Sequence, residues 1–475
     1  MDIINRYKKL ATDTALFTVS TFASKLLSIF MLPFYTNILT ASDYGTADMI
    51  TTTVSLIFPV LTMGICDGVL RFCLDKDSDK KAIFTIGLRI VLAGTALLVI
   101  ATPILLVIGI PPLLVSMFLF TYITVVFTNM LNQFSRGIGE TKVFAISGFL
   151  ATATTIGFNI LFLVGLKWGL AGYLLSTILS NTVCIIYVCV AVGIKKYIYL
   201  NKKLPKETQK EMLKYSVPLI PNSIAWWINL SSSRYLLTFL VGASANGIYA
   251  VANRLPTIIT SLSDVFIRAW QLSAVSEFNA EDRNSFYRRV YRYYNAVIVL
   301  GCSAIILGIQ VIAKILFSAE FYEGWRIAPF LMVSATFSAF SGFIGSLYTA
   351  CKNTRTIFHT TVMGAAINLL LSVLLIPFLQ GVGAGLASLI SFIVIWAVRT
   401  FTISSGFESV QLGHPKYLLS YGLLIVQSCV LTFECPYYYL LMIVIFAAIV
   451  LLYWEEIVSA VKGGYRFLKC KGGKV

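Results

Sequence analysis

The sequence predicts an all-α polytopic membrane protein with about 14 transmembrane helices around a central cavity. Twelve of these helices are expected in two parallel six-helix repeats, followed by two C-terminal helices. The 475 residues are 58% hydrophobic and 12% charged, whereas soluble globular chains carry about 25% charged residues. Apolar segments long enough to cross a bilayer recur along the chain, and the basic residues between them alternate in abundance.

Fourteen apolar segments are visible, and no gap between two of them exceeds about twenty residues. At about 25 residues each, they need roughly 350 residues, which the chain supplies. We therefore expect neither a soluble domain nor an enzyme, because no connecting loop is large enough to form one. The segments begin near residues 14, 46, 82, 113, 143, 169, 215, 246, 293, 326, 356, 382, 417 and 436.

The basic residues predict the orientation. Of the 37 Lys and Arg residues, 29 fall in alternate connecting segments, and the segments between these hold only Lys167 and Arg326. Positive charge marks the cytoplasmic side of a membrane protein. We therefore expect a multi-pass protein of the bacterial cytoplasmic (inner) membrane, with both termini cytoplasmic. We read the apolar run after the basic N-terminus as the first permanent helix, because it is too long for a signal peptide.

Three short matches at nearly one offset predict an internal duplication. Ala41-Ser42-x-x-Gly45 returns at Ala243, with an offset of 202 residues. Thr141-Lys142, which ends the Arg136–Lys142 motif, returns as Thr354-Arg355 in the motif that starts at Lys352, and Trp168-Gly169 returns at Gln380, with offsets of 213 and 212 residues. The predicted domains are 1–194 as an N-terminal six-helix lobe, 195–214 as a basic cytoplasmic linker, 215–405 as a C-terminal six-helix lobe, and 406–475 as two extra helices with a basic cytoplasmic tail.

Charges inside the apolar segments are the candidate functional residues. Each costs about 2.5–3.5 kcal/mol at mid-bilayer on insertion scales, unless water or a partner relieves it. Arg89 and Lys314 lie near helix ends and are expected to reach the interface with their long side chains. The others are the basic residues Lys25, Arg254, Arg234 and Arg268 and the acids Asp48, Asp67 and Asp264.

Polar residues at helical spacing accompany several of these charges. Lys25 shares one face of the first span with Thr18 and Thr21, and Arg254 begins a predicted seam that runs to Arg268. Such Ser and Thr seams are equally typical of helix–helix packing. Charged seams in the first, second, seventh and eighth spans favour a shared hydrated cavity with a net cationic lining, suited to an anionic ligand such as a diphosphate.

The sequence gives little support for a disulfide, metal, catalytic or nucleic-acid-binding site. Nine scattered cysteines without a CxxC pair and two histidines argue against disulfides, a metal site or a catalytic triad, and no cofactor is expected. The net charge of +16 is distributed between membrane segments rather than in one patch, so we expect no nucleic-acid partner. The acidic run from Asp75 to Asp79 is interleaved with lysines and is typical of a solvated loop.

Several motifs together resemble the polysaccharide-biosynthesis flippases, the Wzx-type lipid-linked oligosaccharide translocases. Their superfamily includes the lipid II flippases and the MATE drug exporters. The resemblance covers the first twelve spans. The motifs are the first span with an interior cation, Leu39-x-x-x-Asp43-Tyr44-Gly45, Gly137-x-Gly139-x-Thr141-Lys142, and Tyr348-Thr349-Ala350-x-x-Asn353-Thr354-Arg355.

The resemblance implies two six-helix lobes around a V-shaped cavity, and translocation of an undecaprenyl-diphosphate-linked sugar unit to the outer leaflet by alternating access. Lys25 and Arg254 match cations that matter in the first and eighth helices of lipid II flippases. The second-helix cation is absent, and Asp48 and Thr52 occupy its region. An acid such as Asp48, Asp67 or Asp264 would serve ion coupling. The implied partners are the lipid-linked oligosaccharide, membrane lipids and polysaccharide polymerase machinery.

Two other functions compete with this one. A MATE-type ion-coupled multidrug exporter of cations would be expected to have an acidic or aromatic cavity, whereas interior bases outnumber interior acids here. A membrane-embedded polymerase, ligase or glycosyltransferase would need a substantial external loop or a cytoplasmic acidic sugar-nucleotide motif, and the sequence contains neither.

Overall fold

A computed structural model describes residues 29–75, 77–199, 204–276, 282–351, 353–403, 412–459 and 462. All regular structure in these ranges is helical, which confirms the all-α class. Lys25 lies outside the described residues, so its predicted position stays a prediction. The chain divides into two compact units, Met1–Ser231 and Ser232–Val475.

The first unit contains eight described α-helices and the first half of a ninth. Helix α6 continues into a π-helical turn, Ile160–Gly165, and a short 3₁₀ turn, Ile194–Tyr197, follows α7. The helices are α1 (Leu32–Ile38), α2 (Ala41–Leu61), α3 (Ile65–Cys73), α4 (Lys80–Val107), α5 (Pro112–Gly137), α6 (Thr141–Asn159), α7 (Gly169–Val192), α8 (Lys206–Ser216) and α9 (Leu219–Leu240).

The second unit begins within α9. Its longest helix, α14, is broken at Gln380, whose φ of 48° and ψ of −124° are not helical. The helices are α10 (Ala243–Ala252), α11 (Pro256–Ser276), α12 (Arg283–Leu316), α13 (Gly324–Ala350), α14 (Thr354–Thr402), α15 (Pro415–Thr432) and α16 (Tyr438–Leu452).

Seven helices in the described ranges are long and apolar enough to cross a bilayer, and the bent pair α2–α3 would make eight. Many side chains on these helices are both large and exposed, such as Val107 at 87% and Phe378 at 84%. Exposed apolar side chains of this size suit contact with lipid. The fold is therefore that of a multi-pass membrane protein, and the number of fourteen spans stays a prediction.

The three repeated motifs all coincide with helix starts. Helices α2 and α10 begin at the matched Ala41 and Ala243. Helices α6 and α14 begin at the matched Thr141 and Thr354. The third match places Gly169, where α7 begins, against the residue after the break at Gln380. Local sequence similarity thus marks equivalent turns in the two units.

The second predicted span is bent by 61° between α2 and α3. Met63 and Gly64 lie in the turn with φ angles of 50° and 62°, a region that favours glycine. The Gly64 N–H donates to the Pro59 carbonyl at 2.9 Å, so the interrupted backbone keeps its hydrogen bonds. Ser216 of α8 packs against this turn, and its carbonyl would lie 2.9 Å from a Cβ at Gly64.

Buried polar contacts hold the two C-terminal helices to α12. The Ser303 hydroxyl donates to Gln427 Oε1 at 2.7 Å, and the Tyr453 hydroxyl donates to Asn295 at 2.5 Å. Asn295 donates in turn to the Tyr421 hydroxyl. Hydrogen bonds between helices are a main source of specificity where lipid replaces water. Helices α15 and α16 are thereby integral parts of the second unit.

We predict that Gly94→Ala destabilises the protein. A Cβ at Gly94 of α4 would lie 2.0 Å from the Leu61 carbonyl oxygen at the end of α2. Overpacking of this kind costs about 1–3 kcal/mol. Thermal unfolding in detergent should show a melting temperature several degrees lower.

Gly148→Ala is the matched control, because Gly148 is helical and a Cβ there meets nothing within 4 Å. Alanine is the better helix former, so this variant should be at least as stable as the parent. Equal melting temperatures for the two variants would contradict the close approach of α4 to α2.

Candidate functional site

The second unit holds three of the four cations predicted to bind substrate. Arg234 lies within α9 and Arg254 in the turn before α11, and both are half-buried. Arg234 lies six residues, about 9 Å along the axis, before the end of α9 at Leu240. Arg268 is exposed near the end of α11.

The structure interrupts the seam predicted to run from Arg254 to Arg268. A non-helical turn covers residues 253–255 and α11 starts at Pro256, because proline lacks the N–H that a continuous helix needs. The Thr257 hydroxyl donates to the Arg254 carbonyl, and the Ser261 hydroxyl donates to the Thr257 carbonyl, each at 2.5 Å. Only the part from Thr257 to Arg268 lies on one helix.

A cluster of neutral polar side chains lies beside Arg234. Ser232 and Ser233 of α9 donate to Asn368 Oδ1 of α14 at 3.4 and 3.3 Å. Ser372 Oγ lies 3.2 Å from the same oxygen and 3.0 Å from Ser233 Oγ. Asn368 and Ser372 are fully buried. The cluster holds the two residues directly before Arg234 against α14.

Asp48 is the most buried of the three acids predicted for ion coupling. Its side chain on α2 is 9% exposed. Thr52 and Ser55 follow it on the same face, and the Trp227 indole N–H donates to the Thr52 carbonyl at 3.1 Å and to Ser55 Oγ at 3.2 Å. The polar face of α2 is thus packed against α9 within the first unit, which agrees with the helix-packing reading of this seam.

The other two acids are exposed. Asp67 on α3 accepts a hydrogen bond from Gln133 Nε2 at 2.9 Å, and Gln133 accepts one from Arg136 at 2.9 Å. This amide links the carboxylate to a cation on α5. Asp264 lies on α11, one turn before Arg268. The structure therefore does not bring the three acids into one cluster within either unit.

Sequence reasoning missed Arg399, which it assigned to a loop. Its side chain is 2% exposed and donates only to neutral groups on α13 and α14. The acceptors are Thr360 Oγ1 at 2.9 Å, the Ser341 carbonyl at 2.9 Å, Thr361 Oγ1 at 3.0 Å and the Ile357 carbonyl at 3.3 Å. The Arg399 guanidinium, on the second half of α14, thus binds both the first half of α14 and α13. A basic residue at the very end of an apolar segment was the available signal.

The family model of the polysaccharide biosynthesis proteins matches residues 10–270. The chain belongs to this family. The match covers all but the first nine residues of the first unit and ends within α11, so it includes Lys25, Arg234, Arg254 and Arg268. A search of curated proteins found none that matches the chain.

Solved structures of membrane transporters share the fold of this polysaccharide biosynthesis family member. The lipid II flippase MurJ in an inward closed conformation gives a TM-score of 0.70 at 15% identity, covering 94% of this chain and 99% of that one. An inward-facing multidrug resistance MATE family transporter of the MOP superfamily gives 0.61 at 14% identity, covering 82% and 99%.

A MOP superfamily transporter from Pyrococcus furiosus gives a TM-score of 0.56 at 13% identity, covering 84% of this chain and 96% of that one. At these identities the likeness establishes the fold alone. The family model confirms the polysaccharide biosynthesis family that the sequence motifs indicated, and these structures confirm the fold that the resemblance implied.

We predict that Arg399→Lys lowers the free energy of unfolding by about 2–3 kcal/mol. The positive charge stays buried, but a single ammonium cannot reach all four acceptors on α13 and the first half of α14. Hydrogen bonds to charged groups contribute about 1.5–3 kcal/mol each. Denaturation of the purified protein in detergent measures the change.

Arg355→Lys is the matched control on α14, because Arg355 is exposed and bonds only its neighbour His359 at 3.2 Å among the contacts described. Exposed substitutions usually change stability by less than about 0.5 kcal/mol. A loss as large in Arg355→Lys as in Arg399→Lys would contradict the role of Arg399.

Proposed function

We propose that this chain is a flippase that moves undecaprenyl-diphosphate-linked oligosaccharide repeat units from the inner to the outer leaflet. It would work by alternating access in the bacterial cytoplasmic membrane, with both termini cytoplasmic. The units would serve assembly of a surface polysaccharide: O-antigen, capsule or exopolysaccharide. Membership of the polysaccharide biosynthesis family supports the biological role, and a fold shared with MurJ and MATE transporters supports transport.

One observation favours an anionic, lipid-linked substrate. Two arginines, Arg234 and Arg254, are half-buried within the apolar helical region of the second unit. Arginine is costly in hydrocarbon unless it serves a ligand or a partner. Its planar guanidinium binds phosphate oxygens in a bidentate manner. We assign diphosphate binding to Arg234 and Arg254, with Lys25 and Arg268 as further cations on the substrate's path.

The chemistry of the substrate explains why such residues are needed. A diphosphate with a polar glycan cannot leave water for hydrocarbon without compensating interactions. Cations neutralise the diphosphate while the polyprenyl tail stays in lipid. Net transport then requires two conformations that bind the substrate differently, for which Asp48, Asp67 and Asp264 are the proposed ion-coupling residues. Asp48 is the first of these to test, because it is the most buried of the three acids.

Deletion of the gene tests the function. We expect a polyprenyl-diphosphate oligosaccharide to accumulate on the inner leaflet and the surface polymer to disappear, as shown by mass analysis of extracted lipids. Unchanged lipid-linked sugars together with increased sensitivity to ethidium would contradict the proposal and favour a multidrug exporter.

We predict that Arg254→Ala and Lys25→Ala each reduce surface polymer at least tenfold, with the protein still present in the membrane. Loss of one charge-assisted phosphate contact costs about 1.5–3 kcal/mol, which corresponds to a tenfold or greater effect. Arg254→Lys should keep partial function, because it retains the charge and loses the bidentate geometry. Polymer assays in the complemented deletion strain measure this.

Lys314→Ala is the matched control. Lys314 is an exposed cation in the last turn of α12, where its side chain can reach the interface, so its loss should leave the polymer unchanged. Normal polymer in both the Arg254 and Lys25 variants would refute the role of the cations.

A further inference from the structure

Helix α9 belongs to both units of the chain. The first unit ends at Ser231 and the second begins at Ser232, whereas α9 runs without interruption from Leu219 to Leu240. From Asn222 to its end, the helix contains neither proline nor glycine, the residues at which sharp kinks most often occur. Any movement of one unit against the other therefore has to involve α9 and the contacts that hold it.

In the first unit, the Trp227 indole holds α9 to α2. Its N–H donates to the Thr52 carbonyl at 3.1 Å and to Ser55 Oγ at 3.2 Å. The Ser55 hydroxyl itself donates to the Thr52 carbonyl at 2.7 Å, which leaves the lone pairs of its oxygen to accept the indole proton. One indole donor and two acceptors thus form a compact polar contact between the two helices.

In the second unit, the following turn of α9 is held to α14. Ser232 and Ser233 donate to Asn368 Oδ1, and these three side chains are at most 6% exposed. The serines follow Trp227 by five and six residues, about 7.5–9 Å along the helix axis. The units can therefore move against each other only if one of the two contacts breaks or α9 bends between them.

The contact at Trp227 is the easier one to break. Ser55 is exposed and Trp227 is half-buried, so water can replace the hydrogen bond between them at little cost. The Thr52 carbonyl keeps the hydrogen bond from Ser55 when the indole leaves. Separation of the buried serines from Asn368 would instead leave an amide oxygen unpaired without water, which carries the full desolvation penalty.

We propose that the contact of Trp227 with Thr52 and Ser55 is a conformational latch. It holds α9 to α2 in this conformation and opens when the units move, while the serines stay bound to Asn368. The latch rests on the proposed function, because alternating access in transporters with two repeats is largely a rocking of one repeat against the other. Opening frees the part of α9 that carries Arg234, two turns after Trp227, to move with the second unit.

Hydrogen–deuterium exchange of the detergent-purified full chain, read by mass spectrometry, tests the latch. Trp227→Phe keeps an aromatic ring and removes the N–H donor. A hydrogen bond typically changes an equilibrium constant by about 2- to 12-fold, so peptides from α2 and the first half of α9 should exchange about 3- to 10-fold faster. Peptides from α14 should not change, and the melting temperature should fall by no more than about 2 °C.

Trp226→Phe is the matched control. Trp226 precedes Trp227 on the same helix, about 100° around the axis, and is 36% exposed. Its replacement should leave exchange as in the parent chain. Equal acceleration in the two variants, or none in Trp227→Phe, would overturn the latch. Acceleration of α14 peptides alone would also overturn it, because the buried serine contact would then be the one that breaks.

Ser55→Ala tests the same contact from α2, and it replaces Trp227→Phe if that variant fails to fold. It removes one of the two acceptors, so exchange of the same peptides should rise about two- to threefold. In the Trp227→Phe background, Ser55→Ala should add less than about 1.5-fold, because residues in direct contact are not additive. Fully additive effects would contradict a direct contact between the two side chains.

Transport of a labelled lipid-linked oligosaccharide in proteoliposomes separates the latch from the proposed function. Trp227→Phe should change the transport rate at least about threefold, from the loss of one hydrogen bond, and Trp226→Phe should not. If the parent chain does not transport but the exchange difference is present, the flippase function is contradicted and the latch is supported. If the parent transports and exchange is the same in Trp227→Phe, the latch alone is overturned.

Discussion

Hydrocarbon offers no hydrogen-bond partners, and this constraint governs where every polar group of the chain lies. The Arg399 guanidinium is surrounded by four neutral acceptors on two helices. Asn368 Oδ1 accepts hydrogen bonds from serine hydroxyls on α9 and α14. Asn295 hydrogen-bonds both Tyr421 and Tyr453. These internal contacts fix the neighbours of each helix more specifically than apolar packing does, because lipid tails compete with apolar side chains.

The same constraint explains why the two interruptions in the helices keep their backbone hydrogen bonds or lie beside a polar group. At residues 62–64 the backbone turns while the Pro59 and Phe58 carbonyls still accept hydrogen bonds. At residues 253–255 Pro256 starts a new helix, and Arg254 lies in the interruption. Irregular backbone at membrane depth is tolerated where protein or a cavity surrounds it, and in transporters it often accompanies the binding site. The position of Arg254 in such a turn fits the ligand-binding role that we propose for it.

Much of the fold could be predicted from composition and local motifs. Apolar length predicts membrane helices, and the matched pairs Ala41–Ala243 and Thr141–Thr354 mark helix starts, because turn chemistry is local. The bend between α2 and α3 was not predicted, although Pro59 and Gly64 were signals for it. Gly94 of α4 lies against Leu61 just before the bend, and this tertiary contact is not visible in the sequence.

The candidate site was less predictable. The seam through Arg254 assumed a continuous helix, and helical spacing cannot show that Pro256 restarts it. The burial of Arg399 could not be read from the sequence, because its acceptors lie 38 to 58 residues away along the chain. Charge counting identifies the charged residues within apolar segments, whereas the partners of each charge are set by packing between helices.

The central claim is that interior cations carry a polyprenyl-diphosphate oligosaccharide across the membrane. The most direct measurement is transport in proteoliposomes that contain the purified chain and a labelled lipid-linked oligosaccharide, with accessibility of the label to an added membrane-impermeant reagent as the readout. We predict that label protected in the inner leaflet becomes accessible with the parent chain and stays protected with Arg254→Ala. Equal rates for the two proteins, or no movement with the parent chain while ethidium is transported, would contradict the account.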